Sequence, residues 1–127
     1  MYQYAYDFPV GRICIEATDT AVTKIQMGDT EEHAAVQETA LIMETARQLR
    51  QYFDGERRQF DLPLQAAGTA FQEKVWQGLQ DIPYGETRSY QALAESIGHP
   101  KACRAVGGAN HHNPIMIVIP CLLVIGI

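Results

Sequence analysis

At 127 residues the chain is long enough to bury one hydrophobic core, or a core with a small lobe packed on it, without disulfide staples. Its 46% hydrophobic and 20% charged residues exclude a disordered or low-complexity protein, and no run reaches the roughly 18 apolar residues of a membrane span. The formal charge of −5 argues against strong non-specific binding of nucleic acid, because Lys and Arg contacts to phosphate supply most of that affinity.

The opening MYQYAYDFPVGR has neither a basic nor an apolar leader region, so no signal peptide is expected, and the expected location is cytoplasmic. Tyr2, Tyr4, Tyr6 and Phe8 alternate with Gln3, Ala5 and Asp7, the period of a half-buried strand. Pro9-Val10-Gly11 supplies a turn before a strand over Arg12–Ala17, and Asp19-Thr20 a second turn before Ala21–Met27. These predict a small antiparallel meander. From Glu31 to Phe53 the spacing becomes helical, with Leu41, Ile42, Leu49 and Phe53 inward and Asp54-Gly55 closing the helix. Phe60–Gly68, punctuated by Pro63, reads as a linker, which sets an N-terminal α/β lobe at 1–67 and a second domain at 68–127.

In the second domain Thr69 and Gln72 form a capping-box pattern opening a helix with Phe71, Val75 and Leu79 on one face, ending at Ile82-Pro83. Pro83–Glu86 is a turn. Ser89 caps a short helix Tyr90–Ile97 with Ala92, Leu93 and Ile97 inward, and Gly98 stops it. Pro100 suits the first turn of a further helix, Lys101–Ala109. Two short helices about a tight turn are the pattern of a helix-turn-helix, the second being the recognition element. The fold class is therefore α+β: a small sheet with one long helix, then a mostly helical lobe.

Charge and cysteines narrow the chemistry. Residues 1–67 hold six basic and eleven acidic side chains and so carry the whole −5, whereas 68–127 hold four of each. The second domain is the better DNA-facing candidate. Cys14, Cys103 and Cys121 are odd in number, far apart and without CxxC spacing, so neither a disulfide framework nor a zinc site is expected. His111 and His112 lack further ligands at suitable spacing and read as solvated or phosphate-facing residues; no metal or cofactor is expected.

The stretch PYGETRSYQALAESIGHPKACRAVGGANHHNPIMIVIPC, Pro83 to Cys121, resembles the O6-alkylguanine-DNA alkyltransferases over some forty consecutive residues, and the preceding TAFQEKVWQGLQDIP fits as well. The family pattern runs P-x-G, then SY-x-x-(I/L)-A, G-x-P-x-A-x-RAVG-x-A, NP and (I/V)-PCHRV. The resemblance implies a single-turnover protein whose Cys121 thiolate takes the alkyl group from O6 of guanine in double-stranded DNA. The alternative for Cys121 is an inert cysteine in an apolar run. Arg104 matches the arginine that fills the stack where the nucleotide has been flipped out; otherwise it is a helix arginine paired with a carboxylate. The family presents this helix to the minor groove, where Ala102, Ala105 and Gly107 allow close approach, with Lys101 and Ser89 as flanking DNA contacts. Tyr90 matches the tyrosine that rotates the nucleotide and hydrogen-bonds the departing guanine, or it simply covers the helix start. Asn113, with Pro114, matches the turn that braces the active site.

The sequence departs from the pattern after Pro120-Cys121, where Leu122-Leu123 replace His-Arg and so remove the family's general base. The family's glycine-rich pocket loop and last helix are also missing, and Ile115–Ile127 is nearly all apolar, an exposed end that something should cover. Alkyl transfer that is very slow or absent is the resulting expectation, by a monomer that could associate through this tail. Two further readings stand beside it: a non-catalytic lesion binder, favoured by Leu122 and disfavoured by Cys121, and a structural or regulatory DNA-binding module.

Overall fold

The computed structural model of the chain describes residues 1–83, 85–119 and 124–125. They fall into two compact units, Met1–Ala66 and Ala67–Ile127.

In the first unit the alternating aromatics form β1 (Tyr2–Phe8), followed by β2 (Gly11–Ala17) and β3 (Val22–Met27). The three pair antiparallel as the expected meander, from Tyr2 opposite Ala17 to Phe8 opposite Gly11, and from Ile13 opposite Met27 to Ala17 opposite Val22. A fourth strand was not foreseen: β4 (Ala35–Val36) pairs in parallel with Tyr2 and Gln3. The sheet, in the order β3-β2-β1-β4, is therefore mixed rather than purely antiparallel.

The long helix α1 (Ala40–Phe53) begins at Ala40, not Glu31. The residues assigned to its first turns form a strap across the sheet, held by the buried Gln3 side chain. Gln3 Oε1 accepts from the Glu31 N–H at 2.9 Å, and its Nε2 donates to the Ala34 carbonyl at 2.8 Å and also to that of Glu31. Such bonds from a partner about thirty residues away are invisible to local periodicity, and they take up backbone groups of Glu31 and Ala34 that a longer helix would use. Thr39 then opens α1, its Oγ1 accepting from the Ile42 N–H at 3.3 Å. Ile42, Ala46 and Leu49 of α1 and Ile13, Ile15, Val22 and Ile25 of the sheet make up the buried core, while Leu41 and Phe53 are half-buried. The expected linker is partly fixed to this unit: Val22 donates to Pro63 and accepts from Gln65, both at 2.8 Å, and the buried Gln48 amide clasps the Asp61 backbone.

The second unit contains α2 (Ala70–Gln80), β5 (Arg88–Ser89), α3 (Tyr90–Ser96), α4 (Cys103–His111) and β6 (Val124–Ile125), with β5 and β6 paired in parallel. The capping box of α2 is present, at 3.1 and 3.0 Å in its two bonds. This helix ends at Gln80, with Asp81 as its C-cap, two residues before the expected stop. Val75, Trp76 and Leu79 of α2 are buried together with Leu93, Ala94, Val106, Ala109, Ile115 and Ile119. Ala94 thus takes the inward place expected of Ala92 and Ile97, which are half-buried. A Cβ at Gly78 would lie 2.8 Å from Leu93 and 3.0 Å from Ile97, so a glycine in the middle of α2 lets α3 approach.

Helix α3 ends in a Schellman motif: Gly98 takes φ +81°, its N–H reaches the Glu95 carbonyl at 3.1 Å, and the His99 N–H reaches Ala94 at 2.9 Å. Helix α4 starts two residues later than expected. Pro100 sits at the second position of a turn closed by the Ala102 N–H on the His99 carbonyl at 3.0 Å, where its fixed φ is suited, and Lys101 is left outside the helix. The apolar stretch after Pro114 is packed rather than exposed as far as it is described, with Ile115, Val118 and Ile119 buried. No helix among the described residues is long and apolar enough to cross a membrane.

Candidate nucleic-acid interface

Apart from Cys121, the residues singled out from the sequence lie on or beside α3 and α4, from Ser89 at the end of β5 to Asn113 just after α4. Ser89 Oγ accepts from the Ala92 N–H at 3.0 Å, which makes Tyr90 the first residue of α3. The Tyr90 ring is half-buried and faces α4: a Cβ on Gly107 would stand 4.0 Å from Tyr90 Cζ. A methyl group there would meet the ring at ordinary van der Waals distance, so Tyr90 packs against this side of α4.

Around α4 the exposed positions are Lys101, Arg104, Ala105, Gly108, His111 and His112, while Val106, Ala109 and Asn110 point inward. Ala102 is the N-cap, without a side-chain cap, and like Gly107 is half-buried. The exposed stripe therefore alternates long cationic or imidazole side chains with residues no larger than alanine. Arg104 makes no hydrogen bond or ion pair with any described residue, so the carboxylate-paired alternative weighed from the sequence is not what forms. α4 itself carries no carboxylate.

The end of α4 is held by two contacts that lead toward the cysteine. Trp76 Nε1 donates to the Ala109 carbonyl at 2.9 Å, capping one of the last carbonyls of the helix from within the core. Asn113 then bridges the following loop, its Oδ1 accepting from the Ile115 N–H at 3.0 Å and its Nδ2 donating to the Ile119 carbonyl at 2.6 Å. Within that bridge Ile117 has φ +72°, and the Val118 N–H bonds back to Met116 at 2.8 Å. This is a γ-turn of the strained kind, costing on the order of 1–3 kcal/mol for such a backbone. Trp76 was missed in the sequence because an indole on an apolar helical face signals burial, not the carbonyl it will reach.

Cys121 and Leu122 lie outside the described residues, between Ile119 and the paired Val124. The other two thiols differ in setting. Cys14 is buried, donates to Gln3 Oε1 at 3.6 Å, and burial, with Glu16 and Glu31 nearby, pushes its thiol up, which suppresses the nucleophilic thiolate. Cys103 is half-buried at the start of α4. Among the described residues no three His, Cys, Asp or Glu side chains are grouped to hold a metal. An open hollow of about 360 Å³, lined by Lys74, Gln77, Gly78, Asp81, Ser96 and Ile97, shares no residue with this site.

Family profiles match both units. Residues 1–66 match the 6-O-methylguanine DNA methyltransferase ribonuclease-like domain, and residues 70–127 the DNA-binding domain of the same family. The chain is 41% identical over 133 residues to the constitutive methylated-DNA–protein-cysteine methyltransferase of Bacillus subtilis, covering 98% of this chain and 81% of that protein. It is 46% identical over 124 residues to a methylated-DNA–protein-cysteine methyltransferase of Mycobacterium leprae, covering 94% and 75%. The crystal structure of Mycobacterium tuberculosis OGT in complex with DNA superposes with a TM-score of 0.91 at 41% identity, covering 99% of this chain and 79% of that one.

Proposed function

The chain belongs to the 6-O-methylguanine DNA methyltransferase family, and on that premise we propose that it repairs DNA by direct reversal, taking an alkyl group from O6 of guanine onto Cys121. The Cys121 sulfur, as thiolate, forms a bond to the alkyl carbon; the carbon–O6 bond breaks, its electron pair stays on the guanine, and the guanine regains the proton that the thiol gave up. S-alkylcysteine has no easy return path, so each molecule acts once.

The observation that carries this reading is the exposed face of α4. Arg104 stands there without a protein partner among the described residues, between small side chains, with Tyr90 against Gly107 behind it. Small residues allow the helix close to a minor groove, Arg104 fills the gap left by a flipped nucleotide, and Tyr90 hydrogen-bonds the departing base. Lys101, Ala102, Ala105 and Ser89 flank that contact. Asn113 fixes the loop that precedes Cys121 through its bonds to Ile115 and Ile119.

Leu122 stands where the family carries the histidine that draws the cysteine proton. An unassisted thiol of ordinary acidity is roughly 3% ionised at pH 7, so this replacement slows transfer by about one to two decades. It also supports a second reading, a lesion binder that holds the damaged base with little chemistry. Intact-protein mass after incubation with a duplex carrying one O6-methylguanine separates them. A gain of one methyl mapped to Cys121, absent in Cys121→Ser and faster by about 10–100-fold in Leu122→His, is expected for the enzyme. A folded protein that binds the duplex and never gains mass, even as Leu122→His, is a binder.

A further inference from the structure

Resting on the DNA-binding reading above, we propose that His111 and His112 form a phosphate-contact site at the end of α4, whose hold on duplex DNA strengthens as these rings take up protons. Both side chains are exposed, with ring centroids 5.5 Å apart and the planes at 76°, so they present two separate edges to solvent. Neither forms an ion pair or hydrogen bond with a described residue. They continue the exposed stripe that begins with Lys101 and Arg104, and seven positions of helix carry that stripe about 10 Å from Arg104 to His111. A duplex bears one phosphate charge per about 1.7 Å of its axis, so a stripe of this length faces several phosphates at once.

The surroundings leave the rings free for an external anion. Helices α2 and α3 pack against α4. Their titratable and charged groups are Glu73, Lys74 and the cap Asp81 on the first, and Tyr90 and Glu95 on the second; none pairs with either imidazole. The segment 113–119 that follows has no ionisable side chain. Both rings sit at the C-terminal end of α4. Histidine as a residue type changes charge between about pH 5 and 8, and a protonated ring donates from both nitrogens, matching phosphate oxygens. In a unit with four acidic and four basic side chains, two added cations on the DNA-facing stripe change the field at the contact substantially.

The test is fluorescence-anisotropy titration of an undamaged duplex at about pH 5.5 and about pH 8, each over about 50–200 mM salt. Wild type is compared with His111→Asn/His112→Asn and with His111→Lys/His112→Lys. The wild-type slope of log Kd against log salt is expected to steepen by about 1.8 on acidification, about 0.9 per phosphate neutralised, with at least about tenfold tighter binding at the lowest salt. The Asn pair should bind at both pH values as wild type does at high pH, and the Lys pair should bind tightly at both. An equal pH effect in wild type and the Asn pair overturns the proposal and leaves the DNA-binding reading standing. No binding by wild type at either pH overturns both together.

Discussion

The two units use their cations in opposite ways. In Met1–Ala66, Arg12 lies between Asp7 at 3.0 Å and Asp29 at 3.1 Å, Arg47 pairs with Glu44, His33 is set between Glu16 and Glu31, and Arg50 stacks over Phe8 at 4.9 Å. In Ala67–Ile127, among the described residues, Arg88 with Glu86 at 3.1 Å is the ion pair, while Lys101, Arg104, His111 and His112 point outward without one. Total charge therefore misleads here. The acidic unit pairs Arg12 and Arg47 with its own carboxylates, whereas the neutral one leaves Lys101 and Arg104 exposed and, among the described residues, unpaired on and beside α4, and the local field follows that arrangement rather than the sum of −5.

The contrast can be broken most forcefully at the core of the second unit. Trp76→Ala removes a buried indole and its bond to Ala109, and a loss of about 3–5 kcal/mol is expected in urea unfolding. Trp76→Phe, which keeps much of the bulk and leaves the carbonyl unmet, should lose about 1–3 kcal/mol. A smaller and more selective effect comes from exchanging the two kinds of arginine. Arg104→Ala should lower the salt slope of DNA binding by about 1 and remove the preference for the O6-methylguanine duplex, with the melting temperature unchanged. Arg12→Ala should do the reverse, slightly lowering the melting temperature and leaving DNA affinity as it was. Unaltered lesion preference in Arg104→Ala would remove that residue from the site.

The gentlest probe is pH. Hydrogen bonds from Arg47 and then Gln48 lower the Glu44 carboxyl from 4.5 to about 2. A depressed folded-state value means that Glu44 stabilises the first unit fully above about pH 4.5, and that this help is lost as pH falls toward about 2. Because the group is exposed, the effect is small and should shrink in salt. Glu44→Gln should flatten the fall in melting temperature across that acid window, and an unchanged slope would show that the pair does not contribute.

Much of the fold is legible in short sequence signals because those signals act locally. Thr69 with Gln72, Ser89 before Tyr90, and Gly98 after α3 each satisfy a helix end within a few residues, so they can be read without any partner. What escaped depends on distant groups. Gln3 reaches Glu31 and Ala34 to make a strap where helical spacing suggested more of α1, and that strap supplies the parallel strand β4. Pro100 was ambiguous between a first helical turn and a β-turn, and the His99–Ala102 bond decides for the turn. For the candidate site, the motif singles out Tyr90, Arg104 and Asn113 by their match to the family pattern. The exposure of Arg104 without a partner and the double bond of Asn113 to its loop required three dimensions.

The pairing of β5 with β6 has a kinetic corollary. Arg88 and Val124 meet across 36 positions (124 minus 88) for only two residues of ladder. Closing a flexible loop of that length costs about 3 kcal/mol before any constant term, more than so short a pairing returns by itself. Helices α3 and α4 must first shorten the intervening chain, so the pairing belongs to the late part of folding, after local contacts have formed. Helices α3 and α4 are thus formed before the two-residue ladder between β5 and β6 closes.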